Sequence, residues 1–231
     1  EIVTGDWSSD VCSSDLFHKK NIRIITDLVL SHTSDEHEWF KNSKKQDENK
    51  YSDWYVWTDG NPNTPPNNWL SVFGGSSWKW HDERNQFYLH NFLTSQPDLN
   101  FHNEEVQQQM LDEIEYWLKF GVDGFRFDVI NFLYHDSALR DNPAKDPKLV
   151  RPLGFNKDNP YGLQIHKYDN TRPETLDYLS RIRKVLDKYD AISVGEIVSE
   201  NPLNVVGEYA NDRRLHMAYC FEFLSEDFNF S

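Results

Sequence analysis

The sequence predicts an α/β fold that has a parallel sheet and a small inserted subdomain. Short apolar strands alternate with amphipathic helices, and this order requires crossover connections between parallel strands. A polar and aromatic stretch of roughly seventy residues follows the first strand, and a structureless loop of that length is rare in a compact domain. Doubly wound sheets and (β/α) barrels both fit the pattern. Because no glycine-rich phosphate loop follows any strand, the nucleotide-binding version is disfavoured.

The first strand is predicted within residues 21–30, NIRIITDLVL, a nearly continuous apolar run typical of a strand covered on both faces. Before it, GDWSSDVCSSDL repeats Ser-Ser-Asp without strand or helix periodicity. Residues 1–20, including Cys12, are therefore interpreted as a non-native leader. Residues 34–102 are assigned to the subdomain, which contains the turn-forming run NPNTPPNN and one expected strand at QFYLHNF.

The remaining elements, within residues 103–231, alternate regularly. Asn103 is expected to cap a helix that has acidic residues in its first turn and ends at Gly121. The strand VDGFRFDVI follows directly, and residues 131–168 are irregular. The spacing then predicts a helix over 172–189, a strand at AISVGEI, a short helix near 203–209 and a strand near 215–221.

The net charge of −14 disfavours nucleic acid, an anionic membrane surface and polyanionic substrates, and favours a neutral one. No apolar run approaches the ~20 residues of a membrane span. Two cysteines without metal-ligand spacing give no disulfide framework, so a reducing, cytoplasmic location is expected. His32 and His37 lack a clear third ligand, and neither a metal nor a cofactor is expected. The sequence does not indicate an oligomeric state.

Charged residues near the carboxyl ends of three predicted strands indicate a catalytic site. Arg126 and Asp128 share one face of their strand because side chains alternate, while Asp27 and Glu196 lie near the ends of two others. In parallel α/β folds this rim carries the active site. Asp128, beside the cationic Arg126, is expected to stay ionised, while burial would let Glu196 donate a proton. A nucleophile and an acid are what glycosidic cleavage with retention requires.

Four motifs then give a resemblance to a known family. DLVLSH, QPDLN, GFRFDVI and VGE, in this order and separation, resemble the signature regions of the α-amylase superfamily. From residue 21 onward the chain is similar to its oligo-1,6-glucosidase and α-glucosidase branch. The resemblance implies a (β/α)8 TIM barrel, with residues 21–33 as the third strand and residues 103–231 running from the third helix to the sixth strand.

The resemblance also implies roles for the site residues. Asp128 would be the nucleophile and Glu196 the general acid/base, with Arg126 orienting Asp128 and Asp27 bracing Arg126. His32 would hydrogen-bond the 6-hydroxyl of the transferred glucose. The pocket-lining positions of the branch match Phe73, Phe92 and Gln96. Val129, after the nucleophile, resembles enzymes that accept α-1,6 bonds, so isomaltose-type oligosaccharides are favoured over maltose.

Alternatives within the superfamily are a transglucosidase, a trehalose-forming enzyme and a sucrose-cleaving enzyme. A rival of another class is a non-catalytic barrel relative, such as the ancillary subunit of a transporter, which the intact acids disfavour. The His-Asp pair that supplies the family's third acid is not found before Ser231, and the first two strands are absent. The chain is therefore expected to be an interior fragment, inactive and prone to aggregate by itself.

Overall fold

The structure, a computed structural model, describes residues 16–146, 159–199 and 201–221. Most of the predicted leader, with Cys12, and part of the irregular region lie outside these residues. The helices are α1 Glu38–Ser43, α2 Glu104–Lys119, α3 Glu174–Asp187 and α4 Pro202–Tyr209. The strands are β1 Ile25–Val29, β2 Trp57–Thr58, β3 Trp78–His81, β4 Gln86–Leu89, β5 Gly124–Asp128, β6 Ile192–Ile197 and β7 Met217–Cys220.

Over the described residues the main sheet has the order β1-β5-β6-β7, and every neighbouring pair is parallel. Phe125 and Phe127 on β5 are fully buried in one core with apolar residues of α2 and α3. Burying one such ring stabilises the fold by roughly 1.5–3 kcal/mol. Parallel strands with helices on their outer face are one section of a (β/α) barrel, which confirms the predicted fold class.

Helix α2 illustrates why the local predictions succeed. The Asn103 side chain accepts a hydrogen bond from the backbone N–H of Glu105, as an N-cap should. The helix ends at Lys119, and Gly121 follows with a φ of 99°, a left-handed conformation that favours glycine. The predicted helix over 172–189 is confirmed as α3, shorter by two residues at each end.

The insertion between β1 and α2 contains more regular structure than the sequence indicated. Strands β2, β4 and β3 form an antiparallel sheet, of which only β4 was expected, and α1 was missed. The missed strands are short, and their stability comes from a separate aromatic core in which Trp69 and Trp78 stack with ring centroids 5.8 Å apart. Such tertiary packing is not visible in periodicity over two to four residues.

The expectation that the first strand is covered on both faces is wrong. Ile25 and Val29 are 45% and 41% exposed, whereas Thr26 and Leu28 on the other face are half-buried. A run of apolar residues indicates that a strand borders a hydrophobic core, but it does not show that other elements pack against both of its faces. Within the described ranges, no element packs over the face that carries Asp27. None of the helices among these residues is long and apolar enough to span a membrane.

Candidate active site

Arg126 is the centre of a charged cluster on the open face of the sheet. Its Nη1 donates to Asp27 Oδ1 at 2.6 Å and to Asp128 Oδ1 at 2.7 Å. Its Nη2 also contacts Glu196 Oε2. Strand register explains the convergence, because Asp27 pairs with Arg126 across β1 and β5, and β6 lies on the other side of β5. The structure therefore brings together four of the residues that the sequence singled out.

The electrostatics of the cluster favour a permanently charged Arg126. Burial opposes the charge of its guanidinium, but hydrogen bonds to Asp27 and Tyr219 and the charge of Asp128 raise its pKa above the usual value. The carboxylates differ in exposure: the Glu196 side chain is 8% exposed and that of Asp128 is 26% exposed. Two acids held by one cation in unlike environments can divide the roles of nucleophile and proton donor.

Tyr219 on β7 belongs to this cluster, and sequence reasoning missed it. Its hydroxyl oxygen accepts from Arg126 Nε at 3.1 Å and Nη2 at 3.0 Å, and its hydroxyl donates to Glu196 Oε2 at 2.9 Å. Strand register places Tyr219 directly beside Glu196. The only sequence feature that could have indicated Tyr219 was its position in a predicted strand that follows an acid-bearing strand. An aromatic residue at such a position is more simply interpreted as part of the hydrophobic core.

His32 and Gln96 form a second polar group, after β1 and in the loop that precedes α2. The Leu93 backbone N–H donates to Gln96 Oε1 at 3.0 Å, which directs Gln96 Nε2 towards His32 Nε2, also 3.0 Å away. His32 Nδ1 lies 2.9 Å from Ser31 Oγ. Burial lowers the pKa of His32, against the opposing charge of Asp128. His32 is thus a neutral imidazole whose Nε2 accepts and whose Nδ1 donates.

The three apolar candidates meet in one wall. The Phe92 ring lies 5.3 Å from the His32 ring and 6.0 Å from the Phe73 ring, measured between centroids. Phe73 is 60% exposed, whereas Phe92 and Val129 are buried in a common cluster. Phe73 therefore presents a free ring face, and Phe92 supports it and His32 from behind.

Val129 holds an unusual backbone conformation directly after Asp128. Its φ of 36° and ψ of 48° are left-handed, which is strained for a β-branched residue. Conformations of this kind cost about 1–3 kcal/mol and concentrate at functional sites. The Val129 side chain is buried and packs in the same cluster as Phe92.

Hydrogen bonds from the Asn131 side chain to backbone groups connect the ends of β5 and β6. Asn131 Nδ2 donates to the carbonyl oxygen of Val198 at 2.8 Å, and Asn131 Oδ1 accepts from the Val198 N–H at 3.2 Å. Asn131 thereby joins the segment after Asp128 to the segment after Glu196. Gly195 allows close packing behind the acid, since a Cβ there would lie 2.5 Å from a methyl carbon of Leu215.

Within the SHTSDEHE stretch, His37 serves local structure, unlike His32. His37 Nδ1 accepts from the Trp39 N–H at 3.2 Å and caps α1. Across the part of the chain that the structure describes, no group of three or more His, Cys, Asp or Glu side chains is arranged to hold a metal ion.

Comparison with known proteins identifies the family. The model of the α-amylase catalytic domain matches residues 13–231. A probable α-glucosidase of Rhizobium meliloti (strain 1021) is 52% identical over 214 residues, which are 91% of this chain and 39% of that protein. The oligo-1,6-glucosidase of Bacillus cereus is 37% identical over 213 residues, 91% of this chain and 36% of that protein. The chain belongs to the α-amylase family.

Solved structures agree with this assignment of an α-amylase-family barrel. The α-glucosyl transfer enzyme XgtA superposes with a TM-score of 0.89 at 52% identity, over 94% of this chain and 41% of that one. The trehalose-6-phosphate hydrolase of Bacillus licheniformis gives a TM-score of 0.79 at 36% identity, over 94% and 37%. The chain thus spans about two fifths of the length of these relatives.

Proposed function

We propose that this α-amylase-family protein is a retaining α-glucoside hydrolase that acts on short neutral oligosaccharides of the isomaltose and maltose type. The observation that carries the proposal is the convergence of Asp128 and Glu196 on the single guanidinium of Arg126, at the carboxyl ends of neighbouring parallel strands. Two carboxyl groups that contact one guanidinium are neighbours, as the pair that acts on one glycosidic bond must be. The α-glucosidase names of the relatives support the substrate class.

In the proposed mechanism the Asp128 carboxylate attacks the anomeric carbon while Glu196 donates its proton to the departing glycosidic oxygen. The C–O bond breaks and a glucosyl ester on Asp128 forms. Glu196, now ionised, then takes a proton from water, and the resulting hydroxide equivalent opens the ester. Arg126 keeps the Asp128 carboxylate oriented, and Asp27 holds Arg126 by accepting from the same Nη1.

The pocket residues fit a neutral glucose unit. His32 and Gln96 offer uncharged hydrogen-bonding groups, and the exposed face of Phe73 offers an apolar surface for a sugar ring. The proposed preference for α-1,6 bonds depends on Val129 alone. Residues 34–102 are proposed as the inserted subdomain, which contributes Phe73, Phe92 and Gln96 to this wall.

Trapping the covalent intermediate tests the proposal. The full-length gene product is incubated with a fluorinated α-glucosyl fluoride that forms the glucosyl ester faster than water removes it, and the labelled peptide is mapped by mass spectrometry. We expect one label, on Asp128, and none in Asp128→Asn. Asp190→Asn is the matched control because Asp190 also pairs with an arginine, Arg23, but is 88% exposed. Hydrolysis of isomaltose that survives Asp128→Asn refutes the assignment.

A second candidate is α-glucosyl transfer, which the 52% identity to XgtA favours. Transfer uses the same ester on Asp128 but passes the glucose to a sugar hydroxyl instead of water. Chromatography of the products from maltose distinguishes the two, since transfer gives oligosaccharides longer than the substrate, whereas hydrolysis gives glucose.

A further inference from the structure

Tyr219 is a neutral side chain whose hydroxyl contacts both Arg126 and Glu196 of the charged cluster. Its hydroxyl oxygen takes two N–H donors from Arg126, at 3.1 and 3.0 Å, and its own proton goes to Glu196 Oε2 at 2.9 Å. The side chain comes from β7, a strand that supplies none of the acids.

The direction of the phenol proton follows from this geometry. A phenol oxygen has two acceptor sites and one donor. Because two guanidinium N–H groups point at the oxygen, the hydroxyl hydrogen faces away from Arg126 and towards Glu196. The hydroxyl is therefore locked in one orientation, without reorganisation during the reaction.

The two oxygens of Glu196 are thereby made unequal. Oε2 receives the Tyr219 hydroxyl and also contacts Arg126 Nη2. An oxygen that already accepts two donors is a poor place for a proton, so the exchangeable proton belongs on Oε1. Without these two contacts, rotation about the terminal bond of Glu196 would exchange the two oxygens.

We propose that Tyr219 is a positioning residue for the general acid, which fixes Glu196 so that Oε1 carries the proton given to the leaving group and later taken from water. The proposal deepens the proposed hydrolase function and rests on it. Tyr219 touches neither reacting atom and acts through Glu196. Its hydrogen bond strengthens when Glu196 is ionised, so it also favours the form that Glu196 reaches after the first step.

Substitution Tyr219→Phe in the full-length gene product tests this role, because the ring stays and only the hydroxyl is lost. Isomaltose has a poor leaving group that needs a proton, whereas 2,4-dinitrophenyl α-glucoside has a leaving group that departs without one. We expect kcat/KM for isomaltose to fall roughly 10- to 100-fold, as for loss of a hydrogen bond to a charged group. The aryl glucoside should change less than about threefold.

The pH profile supplies a readout that a merely structural role would not move. Without the phenol donor the ionised form of Glu196 loses support, so the basic limb of kcat/KM for isomaltose should shift upward by roughly one pH unit. Tyr189→Phe is the matched control, since the Tyr189 hydroxyl donates to Glu115 Oε1 at 3.0 Å, a similar phenol–glutamate bond before β6 and away from the site. Its profile should equal that of the wild type.

The outcomes separate the two hypotheses. An equal loss on both substrates, or an unshifted pH profile in Tyr219→Phe, overturns the positioning role and leaves the hydrolase function standing. A wild-type protein that cleaves no α-glucoside refutes the proposed function and the inference with it. Covalent labelling of Asp128 by the fluorinated reagent should continue in Tyr219→Phe, which shows that the variant is folded and that the nucleophile is intact.

Discussion

Asn131 offers the sharpest test of how the fold holds the two acids in register. It is fully buried, and its side chain makes three hydrogen bonds: to the Thr171 hydroxyl at 2.9 Å, and to the backbone carbonyl and N–H of Val198 at 2.8 and 3.2 Å. Each bond contributes about 1 kcal/mol, which makes about 3 kcal/mol for the three, and the part-buried Val198 groups left without this partner cost about 1–3 kcal/mol more. Asn131→Ala should therefore destabilise the protein by about 4–6 kcal/mol.

Urea unfolding monitored by tryptophan fluorescence measures this loss as a shift of the midpoint at constant slope. Asn61→Ala is the control: Asn61 also accepts from a backbone N–H, that of Asn63 at 3.0 Å, but is exposed, so at most about 1 kcal/mol should be lost. Asn131→Asp keeps the side-chain volume and separates the effect of hydrogen bonding from that of a cavity. A loss below about 1 kcal/mol in both Asn131 variants would refute the reasoning.

Three further predictions concern other parts of the molecule. Burial raises the pKa of Asp98 to about 7, against hydrogen bonds from Asn91 that lower it. Its folded pKa then exceeds the unfolded value of about 3.9, so the stability it provides is complete below about pH 4 and is lost as the pH rises through about 7. Asp98→Asn should flatten this slope in urea titrations between about pH 4 and about pH 7, and an unchanged slope would contradict the sign. Asn103→Ala removes the cap of α2 and should cost about 1 kcal/mol in the same assay, a value that an unshifted midpoint would exclude. Val129→Thr should raise the ratio of maltose to isomaltose hydrolysis in the full-length gene product. An unaltered ratio would remove the basis for the proposed preference for α-1,6 bonds.

The periodicity of apolar residues in the sequence predicted most of the regular elements of the fold. Helices α2 and α3 and strands β5 and β6 appear where the apolar spacing predicted them, within about two residues, because each buries one continuous stripe or face. The subdomain sheet was largely missed, since strands of two to four residues contain too few positions for a period. Its order depends on contacts such as the Trp69–Trp78 stack, between residues nine apart.

By itself the sequence determined the α/β class, the parallel order and the convergence of Asp27, Arg126, Asp128 and Glu196, because alternation along a strand and the direction of parallel strands follow from local chain geometry. Only the tertiary structure decided that Tyr219 completes this group and that the Gln96 amide faces His32. Those facts depend on which strands become neighbours and on how side chains share donors across them. Such pairings join residues far apart in the chain, so no local pattern encodes them.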